Sequence, residues 1–315
     1  MNLRAILCLL FVNFSFIFAA PAQQRLRFTD IPDTTVPSRV WIMGGFTAGL
    51  TAGSLVALNQ YWYKDYDKTS FHFFNDGREW QQMDKIGHAF TAYMTAKYSR
   101  ELWRWTGIPK KKQIWLGAAS SIVYQSVIEV LDGYSSEWGF SWKDMGANLL
   151  GTGLMVSQEL AWDEQRIHLK FSYLGEKYPG DPVIKNRTDD IFGNGFPERV
   201  LKDYNGQTYW LSVNLFAFSA QKNHRLKWLN LALGYGGKNM YGGDDNTWEY
   251  DGVHYDYNHV KRLRQFYLSP DIDFTQIPTK KKGLKILFQV MNMIKIPAPT
   301  LEYRTDGHWK GHWLF

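Results

Sequence analysis

Near Arg166 the hydrophobic period of the chain changes, and no single class of regular structure can serve both sides of that change. Upstream, apolar residues recur at helical spacing in segments with clear stops. The segment 84–105 ends before Gly107 and Pro109, 111–131 ends at Asp132-Gly133, and 141–162 opens with Ser141-x-x-Asp144, a capping-box spacing. Downstream, Leu229, Leu231 and Leu233 alternate with Asn230, Ala232 and Gly234, while Phe266, Leu268 and Ile272 alternate with Tyr267, Ser269 and Asp271. A two-residue period is that of a half-buried antiparallel strand. The expected class is therefore α+β: an N-terminal four-helix membrane-associated bundle followed by an antiparallel β-rich C-terminal region.

The first of the four expected helices is a run of 24 residues, 40–63, without a charge. Gly44, Gly45, Gly49 and Gly53 stand in it at close to helical spacing, which suits tight packing against a neighbour. Its length fits either a bilayer span or the central helix of a soluble bundle. The uncharged stretches 113–128 and 145–158 hold 16 and 14 residues, short of the roughly 20 that a span needs. If 40–63 spanned after export, Arg100, Arg104 and Lys110 to Lys112 would lie outside, against the positive-inside tendency. A mean hydropathy of −0.36 also opposes a polytopic chain. The expected bundle sits at a membrane surface with at most one spanning helix.

A formal charge of +6 is scattered along the chain, with only 110–112 and 280–282 as lysine runs. That distribution fits an anionic lipid surface better than a nucleic-acid groove. The expected partner is membrane lipid or another envelope component, and no nucleic acid.

Residues 1–22 have the three parts of a secretory signal: Arg4, an apolar stretch from Ala5 to Ala20, and Ala20-Pro21-Ala22 before Gln23. Cleavage after Ala22 is expected, the alternative being an uncleaved anchor. The single cysteine, Cys8, lies within that stretch, so a processed chain has neither a disulfide nor a catalytic thiol. Residues 23–37 read as a linker, 38–168 as the helical bundle and 169–315 as the β-rich region. Within the last, Asn205-Gly206 is a hairpin-turn signal. Leu284, Leu287, Phe288, Met291 and Ile294 mark a short amphipathic helix near 284–294, placed either on the sheet or on anionic lipid beside Lys280, Lys281, Lys282 and Lys285. Trp309, Gly311, Trp313 and Phe315 share one face of a terminal strand. Six or seven strands are fewer than a closed membrane barrel uses.

Three polar pairs fall on separate helices: Asp84 with His88, Glu129 with Asp132, and Asp144 with Asn148. In an up-and-down bundle, the start of the second helix, the end of the third and the start of the fourth share one end, so the pairs converge. His88, Asp84 and Glu129 are the candidate acid–base residues. Asp84, His88 and Asp144 are candidate ligands of a divalent cation, with Asp132 and Asn148 in support. The same residues also have structural readings. Asp144 can serve only the cap, Asp84 the helix dipole, and Glu129 and Asp132 can pair with Lys85 or Lys143, leaving His88 a satisfied core histidine.

The run Asp84-Lys85-Ile86-Gly87-His88, then Glu129, then Asp144-x-x-x-Asn148-x-x-Gly151, is similar to the D-K-x-x-H … E … D-x-x-x-N-x-x-G pattern of VanZ-like proteins. The stretch 84–162 more closely resembles an uncharacterised family of predicted periplasmic lipoproteins that includes YfiM, whose long form carries a segment like 201–210 here, Leu-Lys-Asp-Tyr-Asn-Gly-Gln-Thr-Tyr-Trp. That resemblance implies an envelope location and no particular reaction. No lipobox cysteine stands at the cleavage point, and the Gln and Arg that follow the VanZ-like Glu are not evident after Glu129.

The first functional expectation is an exported, membrane-associated envelope protein with a structural or binding role. The alternative is an envelope hydrolase or transferase acting on a lipid-linked or cell-wall substrate through the Asp/His/Glu cluster. A third is an outer-membrane barrel with a helical plug. An aromatic-lined cleft reaching the cluster favours the enzyme, and a sealed cluster favours the structural role.

Overall fold

A computed structural model describes residues 27–63, 66–219 and 226–315. The signal segment 1–22, its cleavage point and Cys8 lie outside the described residues. The fold is α+β, with α1 Pro37–Leu58, α2 Met83–Arg104, α3 Lys110–Asp132 and α4 Trp142–Ala161 preceding an antiparallel region.

The bundle is built on three of these helices, and a four-helix bundle is not formed. Helix α2 packs on α3 and α4, and its close contacts use glycine. A Cβ at Gly151 would collide with the carbonyl of Ala89, and one at Gly117 with that of Ala96. Tyr93, Met94, Ala96, Ile114 and Met155 fill the interior. Helix α1 leans away. A Cβ added at any of its four glycines, expected to make close contacts, would meet nothing within 4 Å among the described residues. Trp41, Ile42, Phe46, Leu50 and Val56 are exposed along it. Its base is tied, where Arg39 donates to the carbonyls of Asp30 (2.6 Å) and Trp105 (3.0 Å) and lies over the Trp105 ring. Both α1 and α3 are long and apolar enough to cross a membrane, with 6% of the apolar stretch of α1 and 33% of that of α3 buried. For α3 the basic and acidic residues that shorten its uncharged run lie at its two ends.

The C-terminal region holds β1 Ile167–Tyr173, α5 Pro182–Phe192, α6 Phe196–Lys202, β2 Gln207–Val213, β3 Leu229–Lys238, β4 Thr247–Tyr250, β5 Val253–Asp256, β6 Leu263–Ile272, α7 Lys282–Met291, β7 Thr300–Arg304 and β8 Trp309–His312. Helices α5 and α6 are additions to the expected elements, although Asp181-Pro182 and Gly195-Phe196-Pro197 are helix-start signals. Because α6 precedes it, Asn205-Gly206 is a helix-to-strand connection and not a hairpin. The Asn205 side chain is buried, bonded to both the N–H and the C=O of Met240.

Six strands form one antiparallel sheet in the order β1-β2-β3-β6-β7-β8, and β4 pairs only with β5. Among the described residues the large sheet is open, with β1 and β8 at its edges. Its alternation does not bury the leucine-rich face. The buried face is polar: the Lys170 ammonium lies 2.7 Å from Asp271, Ser212 donates to Asp271, and Gln265 donates to Glu302. Chain 292–298 and Phe315 cover this face, with Lys295 over Trp210 and Phe315 stacked on Tyr267 at 4.4 Å. Phe315 therefore turns inward and does not share the exposed face of Trp309 and Trp313. On the opposite face, Leu211, Leu233, Leu268 and Leu301 form a cross-strand row, with Tyr235, Phe266, Tyr303 and Trp309 as the next row. Of these, the four leucines, Phe266 and Trp309 are exposed. Helix α7 has no buried residue and rests through Phe288 on Phe274.

Candidate functional site

The site forms where α2 begins, α3 ends and α4 begins, closed on its fourth side by the C-terminal region. The approach to α2 is unusual. Trp80, Gln81 and Gln82 all have left-handed backbone, with φ of 47°, 50° and 67°. Non-glycine residues take that conformation only when their surroundings impose it. Here the surroundings are polar ties from the C-terminal region: the Trp80 N–H donates to the carbonyl of Gly243 (2.7 Å), the Tyr235 hydroxyl to that of Gln81 (2.6 Å), and Arg264 to the Gln82 side chain (2.8 Å). The turn directs Trp80 toward Tyr204 (5.3 Å between centroids) and leads the chain into Asp84 and Lys85.

At the entrance of α4, Ser141 caps the helix by accepting from the N–H of Asp144 at 3.1 Å. Only half of the capping box forms. The Ser141 N–H faces Glu129 at 3.4 Å, and the Asp144 carboxylate turns into the site. Lys85 is the hub: its ammonium lies 2.6 Å from Asp76, 2.8 Å from Asp84 and 2.7 Å from Asp144. Ser141 donates to the other oxygen of Asp76 at 2.7 Å, and Tyr204 to Asp84 at 3.0 Å.

The two nitrogens of His88 are in different situations. Nδ1 lies 3.3 Å from both Asn148 Oδ1 and Glu129 Oε1, which holds the ring. Nε2 faces Asp84 at 3.7 Å and Asp144 at 3.9 Å, beyond hydrogen-bond length, so that end is available to a third group.

Five of the acids are divided by their surroundings. Burial would raise Asp84, but His88 and Lys85 hold its carboxyl below the usual range. Asp76 is likewise held low against burial, by hydrogen bonds and Lys85. Burial raises Asp144 to about 8, aided by the charge of Asp84. Burial also raises Glu129 to about 7 and Asp132 to about 6. Burial pulls His88 down, yet Asp84, Asp144 and Glu129 outweigh it and raise the imidazole. Groups that titrate near neutrality within one contact shell are what acid–base chemistry requires.

The cluster is not sealed. A cavity of about 340 Å³ opens onto Asp84, His88, Asp132 and Asp144, with aromatic walls that include Trp80, Phe90, Trp138, Phe171, Tyr204 and Tyr209. Asp84, His88 and Asp144 can each offer a ligand atom within 4.8 Å of the others. A cation there would share Asp84 and Asp144 with the ammonium of Lys85, which already bridges them.

The side chains of Asp84, His88, Glu129, Asp144 and Asn148 thus come together. Asp132 lines the same cavity but bonds to Tyr63 at 2.7 Å, and among the described residues neither it nor Glu129 pairs with a lysine. Lys143 instead donates to Asn75. Three members of the site escape sequence reasoning. Asp76 reads there only as part of an Asn75-Asp76-Gly77 turn, Lys85 only as a pairing partner for Glu129 or Asp132, and Tyr204 lies inside the 201–210 segment without a role. The D-K pair at the head of the motif is the available signal for Lys85.

Comparison with known proteins places residues 72–158, from the loop before α2 to the last turn of α4, in a match to a family described as "Predicted periplasmic lipoprotein (DUF2279)". No curated protein and no solved structure matches the chain. The matched segment contains every bundle residue of the cluster, and its description carries an exported, cell-envelope location.

Proposed function

We propose that this chain, whose residues 72–158 match a family described as a predicted periplasmic lipoprotein, is an envelope enzyme of the hydrolase or transferase class, with a lipid-linked or cell-wall substrate and His88 as its acid–base residue. The observation that carries this reading is the open aromatic cavity ending on an imidazole whose Nε2 has no hydrogen-bond partner in the cluster. Asn148 and Glu129 position the ring through Nδ1, so Nε2 can give a proton to a leaving group or take one from a nucleophile. Glu129 and Asp144, both raised toward neutrality, serve as its proton partners. His88 and Lys85 keep Asp84 ionised, and hydrogen bonds together with Lys85 keep Asp76 so. The VanZ-like spacing of these residues is part of the same proposal.

The test is incubation of purified protein with envelope lipid and glycan extracts, followed by mass spectrometry. Wild type should consume or form a species that His88→Gln changes on the order of 10² to 10⁴ times more slowly, assayed at a temperature where both proteins are folded. Identical profiles for the two proteins would sink the proposal. A second reading, a divalent-cation site on Asp84, His88 and Asp144, is favoured only by their spacing. It requires that chelator lower, and Mn²⁺ raise, the melting temperature of wild type.

We also assign membrane association to α1 and the exposed apolar face of the sheet. A sheet that buries Lys170, Asp271, Gln265 and Glu302 while exposing rows of leucine and aromatic residues is arranged as if its outer medium were hydrocarbon. Carbonate and high-salt washes should leave the protein in the membrane fraction, and detergent should release it. Release by salt alone would assign the contact to the lysines around α7 instead.

A further inference from the structure

Gln125 lines the same cavity, and its buried amide nitrogen has no hydrogen-bond partner among the described residues. A buried donor without an acceptor is costly, so its place at a cavity wall asks for a ligand oxygen. The other polar lining makes the opposite demand. Asp76, Glu79, Asp84, Asp132 and Asp144 line the cavity, so acceptor oxygens outnumber fixed donors in its wall. The remaining lining is dominated by flat aromatic rings.

Three classes of ligand can be compared against these demands. A phosphate or carboxylate would meet five acids against one histidine in the lining. An ammonium would suit the acids and the rings, but has no oxygen for Gln125. A hydroxyl both donates and accepts, and a pyranose carries several of them around an apolar C–H face that lies well on an aromatic ring. Resting on the enzyme reading above and deepening it, we infer that the cavity binds an uncharged saccharide ring, with Gln125 donating to one of its oxygens and the acids accepting from its hydroxyls. The substrate class is then the glycan part of a cell-wall or lipid-linked molecule.

Binding to the full chain in detergent can be followed through tryptophan emission, since Trp80 and Trp138 line the cavity, and by calorimetry. The probes are maltose, lactose and N,N′-diacetylchitobiose, with ethanolamine and inorganic phosphate as the competing chemistries. At least one disaccharide should bind saturably. Gln125→Leu should weaken it about tenfold while leaving the melting temperature unchanged or higher, because an unpaired buried donor is removed. Saturable binding of ethanolamine or phosphate alone, no binding of any disaccharide, or equal affinity in Gln125→Leu would each overturn the inference. His88→Gln separates this from the reading beneath it. If His88-dependent turnover persists without saccharide binding, the substrate class is wrong and the enzyme stands. If saccharide binds equally to both proteins and neither turns anything over, the cavity is a glycan-binding site and the enzyme reading fails.

Discussion

Replacement of Lys85 by methionine should be strongly destabilising. The ammonium is within 2.8 Å of three carboxylates, and its side chain is 13% exposed. Methionine keeps the volume of the stem and removes the charge. Asp76, Asp84 and Asp144 are then left with His88 as the cation they share, in a partly dry pocket. Removing one partner of a buried ionic group costs about 3 to 5 kcal/mol, most of it from the charges left behind. The loss should depend on pH. Without Lys85 the three carboxyl groups rise in pKa, so the folded variant takes up protons that the unfolded chain does not. Its stability should therefore recover as pH falls from 8 toward 5. Thermal melts of wild type and Lys85→Met across that range would test the hub. A variant that melts with wild type at pH 8 would mean that the ammonium contributes little and that the cluster is solvated.

Wild type itself should be most stable under mildly acidic conditions, and the sign follows from the shifted groups. Glu129, Asp132 and Asp144 have folded pKa values of about 7, 6 and 8, above their ordinary values of 4.5, 3.8 and 3.8. Between the unfolded and folded values the native state binds more protons, so stability falls as pH rises, by up to about 1.4 kcal/mol per pH unit per proton. His88 acts in the same direction, since its raised value stabilises the fold below an ordinary pKa of 6.5 and that stabilisation is lost as pH rises through the folded value. Asp84 and Asp76 act oppositely. Their depressed values give stability above pH 4 that is lost on further acidification. The melting temperature should peak near pH 5 and decline toward pH 8. Glu129→Gln should flatten that decline and melt above wild type at pH 8, because the carboxylate it removes is one the fold disfavours. A melting temperature that climbs steadily from pH 5 to 8 would contradict the burial of these acids. The comparison also bears on function, since a site that destabilises its own fold is better explained by chemistry than by architecture.

The helical half is largely legible in the chain itself, because its signals are local. Capping at Ser141, the stop at Gly133 and the break at Gly107 and Pro109 act within one turn of chain, and they bound α2, α3 and α4 to within a residue or two. Once those helices alternate in direction, the convergence of Asp84, His88, Glu129 and Asp144 follows from helix geometry alone. The alternation of β3 and β6 is equally visible, and so is the antiparallel class.

Which face of that alternation turns inward is not decided by any local signal. Period two says that Leu231 and Leu233 share a side and Asn230 and Ala232 the other, but both assignments satisfy the same backbone hydrogen bonds. The choice is made by partners distant in sequence: Lys170 for Asp271, Glu302 for Gln265, and Phe315 for Tyr267. The same holds for α1, whose glycines promise a neighbour and find none within 4 Å among the described residues, and for Lys85, whose three carboxylates come from the loop before α2, from α2 and from α4. The sequence by itself determined where the elements lie and which polar residues share a helix face, because propensity, capping and period act over a few residues. Only the tertiary structure decided which side of the sheet is buried, that α1 stands apart and that one lysine holds the site together, because charge pairing and burial are settled between segments that composition and spacing do not relate.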